Sequence, residues 1–154
     1  MKKILNYYQV SDKIATSGQP TPEQFNTIAQ NGYKVVINLA LTSSSNAIPE
    51  EDAIVTDLGM VYIHLPVVWE APQIDDVQIF CNLMSLNNLR KVWVHCAKNM
   101  RVSCFMYLYQ KHILNLPEEQ ARYPMNQIWQ PQGVWQELIQ REFNNVLVEN
   151  KSIN

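Results

Sequence analysis

The apolar positions along the chain change period several times, and each change marks an element. Thr21-Pro22-Glu23-Gln24 offers an N-cap, a proline at the first helical position and a capping-box glutamine, with Phe25, Ile28 and Ala29 following on one face. This predicts a helix that stops at Asn31-Gly32. Lys34 to Leu39 is a short β-branched run and predicts a buried strand. After the polar stretch Thr42 to Asn46, Pro49-Glu50-Glu51-Asp52 suits the first turn of a second helix, with a stop at Gly59. Val61 to Leu65 predicts another strand, closed by Pro66.

From Ile74 the apolar residues Val77, Phe80, Cys81 and Met84 recur with helical spacing, behind Asp75 and Asp76 at the positive end of the dipole. Lys91 to His95 predicts a third strand, and Val102 to Leu114 a helix apolar around most of its circumference, hence buried. Pro117 to about Glu149 predicts two further helices separated by Pro124 and Pro131, the last carrying Val134, Leu138, Ile139 and Val146. Strands alternating with helices imply an α/β fold. The expectation is a three-layer αβα domain over residues 1–154, its central sheet four- to five-stranded and mainly parallel. Sites in such folds lie where the strand C-termini line up.

Composition narrows the partners. The 154 residues are 47% apolar and 17% charged with a net charge of −2, which excludes a disordered chain and a basic, polyanion-coating domain. No nucleic-acid partner is expected. No apolar run approaches the ~18 residues of a spanning helix and no leader pattern opens the chain, so the expectation is a cytoplasmic protein with no membrane partner. Cys81, Cys96 and Cys104 have no C-x-x-C spacing, and His64, His95 and His112 show no ligand spacing with them, so neither a disulfide framework nor a metal is expected. Cys81 and Cys104 fall on apolar helical faces and predict core packing.

Chemistry converges on Val94-His95-Cys96-Ala97-Lys98-Asn99-Met100-Arg101-Val102-Ser103. A cysteine ends a buried strand, a short loop follows, and an arginine opens a buried helix. The amides from Ala97 through Lys98, Asn99, Met100 and Arg101 to Val102 can turn inward and bind an oxyanion, with the helix dipole adding to the attraction. Arg101 can hold two oxygens of a tetrahedral anion in a bidentate fork. The same field favours the thiolate of Cys96, the form that attacks. His95 precedes the nucleophile on the opposite side of the strand, which suits orienting the loop better than acting as a base. The loop has no glycine, and Asn99, of the residue type next best suited to left-handed geometry, stands where such a turn usually needs one.

This segment resembles the signature loop of the cysteine-dependent protein tyrosine and dual-specificity phosphatases. More closely, with Ala15 to Thr21 and Gly32 to Leu39, it resembles the small bacterial beta-lactamase-hydrolase-like phosphatase family. The resemblance covers roughly the first 110 residues. It implies hydrolysis of a phosphate monoester through a cysteinyl-phosphate intermediate, needing no cofactor, on a phosphorylated protein or small molecule. It also implies a hydroxyl at Ser103 that assists the leaving thiolate. The wider pattern places five residues between cysteine and arginine, whereas four separate Cys96 from Arg101. The small bacterial group shares the shorter spacing, and so do rhodanese-type sulfurtransferases.

The family's general acid is an aspartate on a loop after an upstream strand. The matching stretch here, Pro66 to Pro72, has no aspartate; Glu70 is its carboxylate, with Asp75 and Asp76 as alternatives. Two other functions stay open on these residues. Sulfur transfer through a Cys96 persulfide fits the loop length, and a catalytically weak phosphate-binding regulatory module fits the missing glycine and aspartate.

Overall fold

Five strands make one sheet. In the computed structural model, which describes Met1 and residues 3–141, they are β1 (Tyr8–Gln9), β2 (Ile14–Ser17), β3 (Val35–Asn38), β4 (Val61–His64) and β5 (Val92–His95), in the order β1-β2-β5-β3-β4. Only β1 runs antiparallel to its neighbour. The register aligns Ser17 and Asn38 with His95, and Asn38 with His64, so four strand C-termini end at one edge. The chain's chemistry lies along that edge.

Alternation across the strands feeds two cores. Val35, Ile37, Val92 and Val94 face one side, under α3 (Ile74–Leu86) and α4 (Met100–His112), with Phe80 and Phe105 in edge contact between these helices. Val36 and Trp93 face the other side with Phe25 and Ile28 of α1 (Pro22–Gln30) and Val55 of α2 (Glu51–Asp57). Each large side chain sealed from water adds about 1.5–3 kcal/mol, and the two cores together clamp β5 from both faces. Trp93 is fixed further by a stacked Tyr7, an edge-on Tyr33 and a bond from its indole nitrogen to Ser17 Oγ at 2.9 Å.

The first helix begins as its sequence predicts, with Pro22 at its start and reciprocal bonds between Thr21 and Gln24. Three boundaries differ from the sequence expectation. Two strands, β1 and β2, precede the first predicted one. The helix after the cysteine starts at Met100 and ends at His112, so Arg101 belongs to its first turn. In the tail, where the sequence predicts two helices, the described residues form three short ones: α5 (Glu118–Ala121), α6 (Met125–Ile128) and α7 (Val134–Gln140). Prolines at 117, 124 and 131 punctuate them, since proline lacks the amide that a helix interior needs. Val146, and the predicted helical stretch beyond residue 141, lie outside the described residues.

Candidate active site

Cys96 follows β5 at the aligned edge and is buried, with its surface contribution directed to a cavity of about 200 Å³ lined by Trp69, Cys96, Ala97, Lys98, Met100 and Arg101. The loop's carbonyls are turned outward and each is held by the protein. Cys96 O meets Nδ1 of His95 at 3.2 Å. Ala97 O accepts from the backbone amide of Gln19 at 3.1 Å and from Asn46 Nδ2 at 2.9 Å. Lys98 O accepts from Asn6 Nδ2 at 3.0 Å.

A trans peptide sets its N–H opposite its C=O, so outward carbonyls leave the amides facing inward. Among the described residues, the N–H groups of Ala97, Lys98, Met100, Arg101 and Val102 donate to no protein acceptor. A set of unspent donors at a helix start is a site for an oxyanion. Asn99 makes the turn with φ +66°, the left-handed conformation expected of it. Its side chain donates to Asn6 O at 2.9 Å and Thr16 Oγ1 at 3.0 Å, so the turn is pinned to the N-terminal segment.

Arg101 is 7% exposed, lines the cavity, and spends one donor on the carbonyl of Val67 at 3.0 Å. Ser103 is buried; its hydroxyl donates to Met100 O at 2.7 Å and accepts from the Trp129 indole at 3.0 Å. That local bond to backbone is the ordinary habit of a serine early in a helix. Glu70 is exposed on the turn beside Trp69, whose ring walls the cavity. Trp69 is held by its carbonyl, which accepts from the Trp135 indole at 2.9 Å, and by ring contacts with Trp129 and Trp135. Asp76 caps α3 through the amide of Gln73, and Asp75 is exposed on the same turn. The loop residues and Arg101 therefore converge on Cys96, while Glu70 sits one residue from the cavity wall and neither aspartate lines it.

Cys81 and Cys104 are buried in the core. Burial pushes the Cys81 thiol up to about 12 and moves Cys104 in the same direction, which leaves them protonated at neutral pH. His95 is buried, and its Nε2 meets Glu51 Oε2 at 2.8 Å. Glu51 is a site residue that sequence inspection misses, because an acid in a helix's first turn reads as a solvated dipole partner. Gln19, Asn6 and Asn46 are missed for a related reason: nothing in their own neighbourhoods signals the loop they hold.

The mostly parallel five-stranded sheet, with a loop and helix following its central strand β5, is the architecture of the protein tyrosine phosphatase fold. The family described as "DSP-PTPase phosphatase fused to NAD+ Kinase" matches residues 7–142, and the chain belongs to it. A candidate phosphatase of the DUF442 group from Shewanella putrefaciens CN-32 is 37% identical with a TM-score of 0.80, over 90% of this chain and 91% of its own. Tk-PTP in its active form shares the fold at 14% identity, with a TM-score of 0.76 over 92% of this chain and 97% of that one. The beta-lactamase hydrolase-like protein of Xylella fastidiosa (strain Temecula1) is 28% identical over 95 residues, 60% of this chain. That match spans 22% of the relative's own length. No helix among the described residues is long and apolar enough to cross a membrane.

Proposed function

We propose that the domain hydrolyses a phosphate monoester with Cys96 as nucleophile. The observation that carries this reading is the ring of inward amides without protein acceptors around a cavity that Cys96 and Arg101 share. The Cys96 thiolate attacks phosphorus in line, forming an S–P bond as the ester O–P bond breaks. Arg101 and the amides of Ala97, Lys98, Met100, Arg101 and Val102 hold the equatorial oxygens, whose charge they are already oriented to meet. The Glu70 carboxyl gives its proton to the leaving oxygen, and as carboxylate it then takes one from the water that attacks phosphorus. The S–P bond breaks, phosphate leaves and the thiolate returns. Ser103, bonded to Met100 O, acts by fixing the helix start on which Arg101 stands.

Trp69 and Met100 give the cavity apolar walls, which suit a flat aromatic leaving group. TpbA from P. aeruginosa, which shares the fold, has been crystallised with pTyr. We therefore place aryl phosphates, on a protein or a small molecule, first among substrates. The test incubates wild type and Cys96→Ser with p-nitrophenyl phosphate, and separately with thiosulfate and cyanide. Phosphate release that vanishes in Cys96→Ser supports the proposal. Thiocyanate formation instead makes the domain a sulfurtransferase, and neither product makes it a phosphate-binding module.

A further inference from the structure

The carboxylate of Glu51 stands behind the active loop and touches neither the cavity nor Cys96, yet it holds both residues that orient the loop's first two carbonyls. Its Oε2 meets His95 Nε2 at 2.8 Å, and His95 Nδ1 meets Cys96 O at 3.2 Å. Its Oε1 accepts from the side-chain Nε2 of Gln19 at 2.5 Å, and the backbone N–H of the same residue donates to Ala97 O at 3.1 Å. The two oxygens of one side chain thus end, through two relays, on consecutive carbonyls. Because the Cys96–Ala97 and Ala97–Lys98 peptides are trans, fixing those carbonyls outward fixes the amides of Ala97 and Lys98 inward.

The chemistry of each relay is specific. His95 lies between the Glu51 carboxylate at Nε2 and the Cys96 carbonyl at Nδ1, so one ring bridges the two groups. The other groups near the pair are Tyr62, whose hydroxyl accepts from Asn38, Asp52 close to Tyr62, and the edge of Phe25 against the His95 ring. Glu51 is 5% exposed, and a carboxylate is costly to bury unless its oxygens are bonded. Glu51 also borders a separate cavity of about 670 Å³.

We propose that Glu51 is a positioning residue for the oxyanion site: through His95 and Gln19 it sets the directions of the Ala97 and Lys98 amides. The inference rests on the reading of the loop as an anion cradle. Glutamine at position 51 offers one acceptor oxygen for two facing N–H groups, so one relay is lost while the side chain's volume is kept.

The experiment titrates inorganic phosphate into wild type and Glu51→Gln, following the backbone amide resonances of Ala97 and Lys98. Expected is a loss of phosphate affinity of about tenfold, with displaced Ala97 and Lys98 resonances even before phosphate is added. His95→Asn removes the side chain that meets Cys96 O, and Gln19→Ala unties from Glu51 the residue whose backbone N–H meets Ala97 O; each should weaken binding by a smaller factor, and in the variant carrying both, Glu51→Gln should add nothing. A merely structural role lowers the melting temperature without moving these resonances in the folded fraction. If Glu51→Gln does not fold, the two relay variants carry the test, and phosphate affinity equal to wild type in both overturns the proposal. If wild type binds no phosphate, the phosphatase reading fails. The amide displacements still decide the role of Glu51: unchanged Ala97 and Lys98 resonances in Glu51→Gln overturn it.

Discussion

Arg101 Nη1 donates to the carbonyl oxygen of Val67 at 3.0 Å, so the helix behind the nucleophile and the loop that follows β4 share one cation. A guanidinium has five N–H donors in a fixed fork, and one bond to Val67 leaves the others for an anion in the cavity. Lysine keeps the charge and loses the fork. Arg101→Lys should therefore reduce kcat on p-nitrophenyl phosphate by about 10²–10³, the range for removing an oriented transition-state donor. Hydrogen exchange at Ala71, whose amide bonds Val68 O at 3.3 Å, should speed up as the loop loses its tie. Unchanged exchange would show that Val67 and Arg101 are neighbours without coupling.

Glu70 and the two aspartates separate by leaving group. An acid that protonates the leaving oxygen matters most for an alkyl phosphate and least for p-nitrophenyl phosphate, whose leaving group needs little help. Glu70→Gln should slow alkyl phosphate turnover by about 10²–10⁴ and the aryl substrate far less. Asp76→Asn should act on stability through the α3 cap, by about 1 kcal/mol, with turnover intact. Steady-state kinetics on both substrates and thermal melts distinguish these outcomes. A leaving-group-dependent loss in Asp75→Asn or Asp76→Asn, absent in Glu70→Gln, would move the acid to α3.

How much of this was legible in the chain depends on the range of the forces involved. β3 is a run of β-branched residues, β4 and β5 mix β-branched with aromatic ones, and the start of α1 is a capping box, so neighbours in sequence suffice to specify them. The cysteine loop is legible for the same reason: nucleophile, turn residue and arginine lie within six positions. β2 is different. Ile14-Ala15-Thr16-Ser17 carries one large apolar side chain, and its burial comes from pairing with β5 across more than seventy residues. Glu51 shows the same limit at the site. Its acid sits where helix dipoles favour acids on any exposed helix, and only the parallel register brings His95, 44 positions later, against it. Trp129 and Trp135 join the site through a tail whose short helices are separated by prolines, which blurs any helical period.

The three cysteines should divide sharply under alkylation. Burial raises the thiols of Cys81 and Cys104, the former to about 12, so their thiolate fraction at pH 8 is negligible, and both lie in the core without access. Cys96 borders the cavity beside Arg101. Limiting iodoacetamide at pH 8 should therefore modify Cys96 alone, read by peptide mass spectrometry, and inorganic phosphate should protect it by occupying the cradle. Modification of Cys104 in the folded protein would mean that the core beneath α4 opens more readily than its burial implies.

Acid should unfold the protein partly through Glu51. Burial alone would raise its pKa, but His95, Gln19 and the nearby Tyr62 hydroxyl favour the carboxylate and outweigh that, and the net shift is downward from 4.5. A carboxylate with a lower pKa folded than unfolded adds stability that is complete above the unfolded value and is lost as pH falls through the folded one. Urea unfolding of wild type should thus lose free energy steeply as pH drops below about 4.5. Glu51→Gln, with no proton to take up there, should be less stable than wild type at pH 7 and show a shallower acid slope. Glu118 shifts in the same direction, but it is half-exposed and its pairs with Lys111 and Arg122 are solvated. About 1 M salt, with a Debye length of about 3 Å, suppresses that contribution and leaves the buried one. Equal acid slopes for wild type and Glu51→Gln under those conditions would place the pH dependence elsewhere.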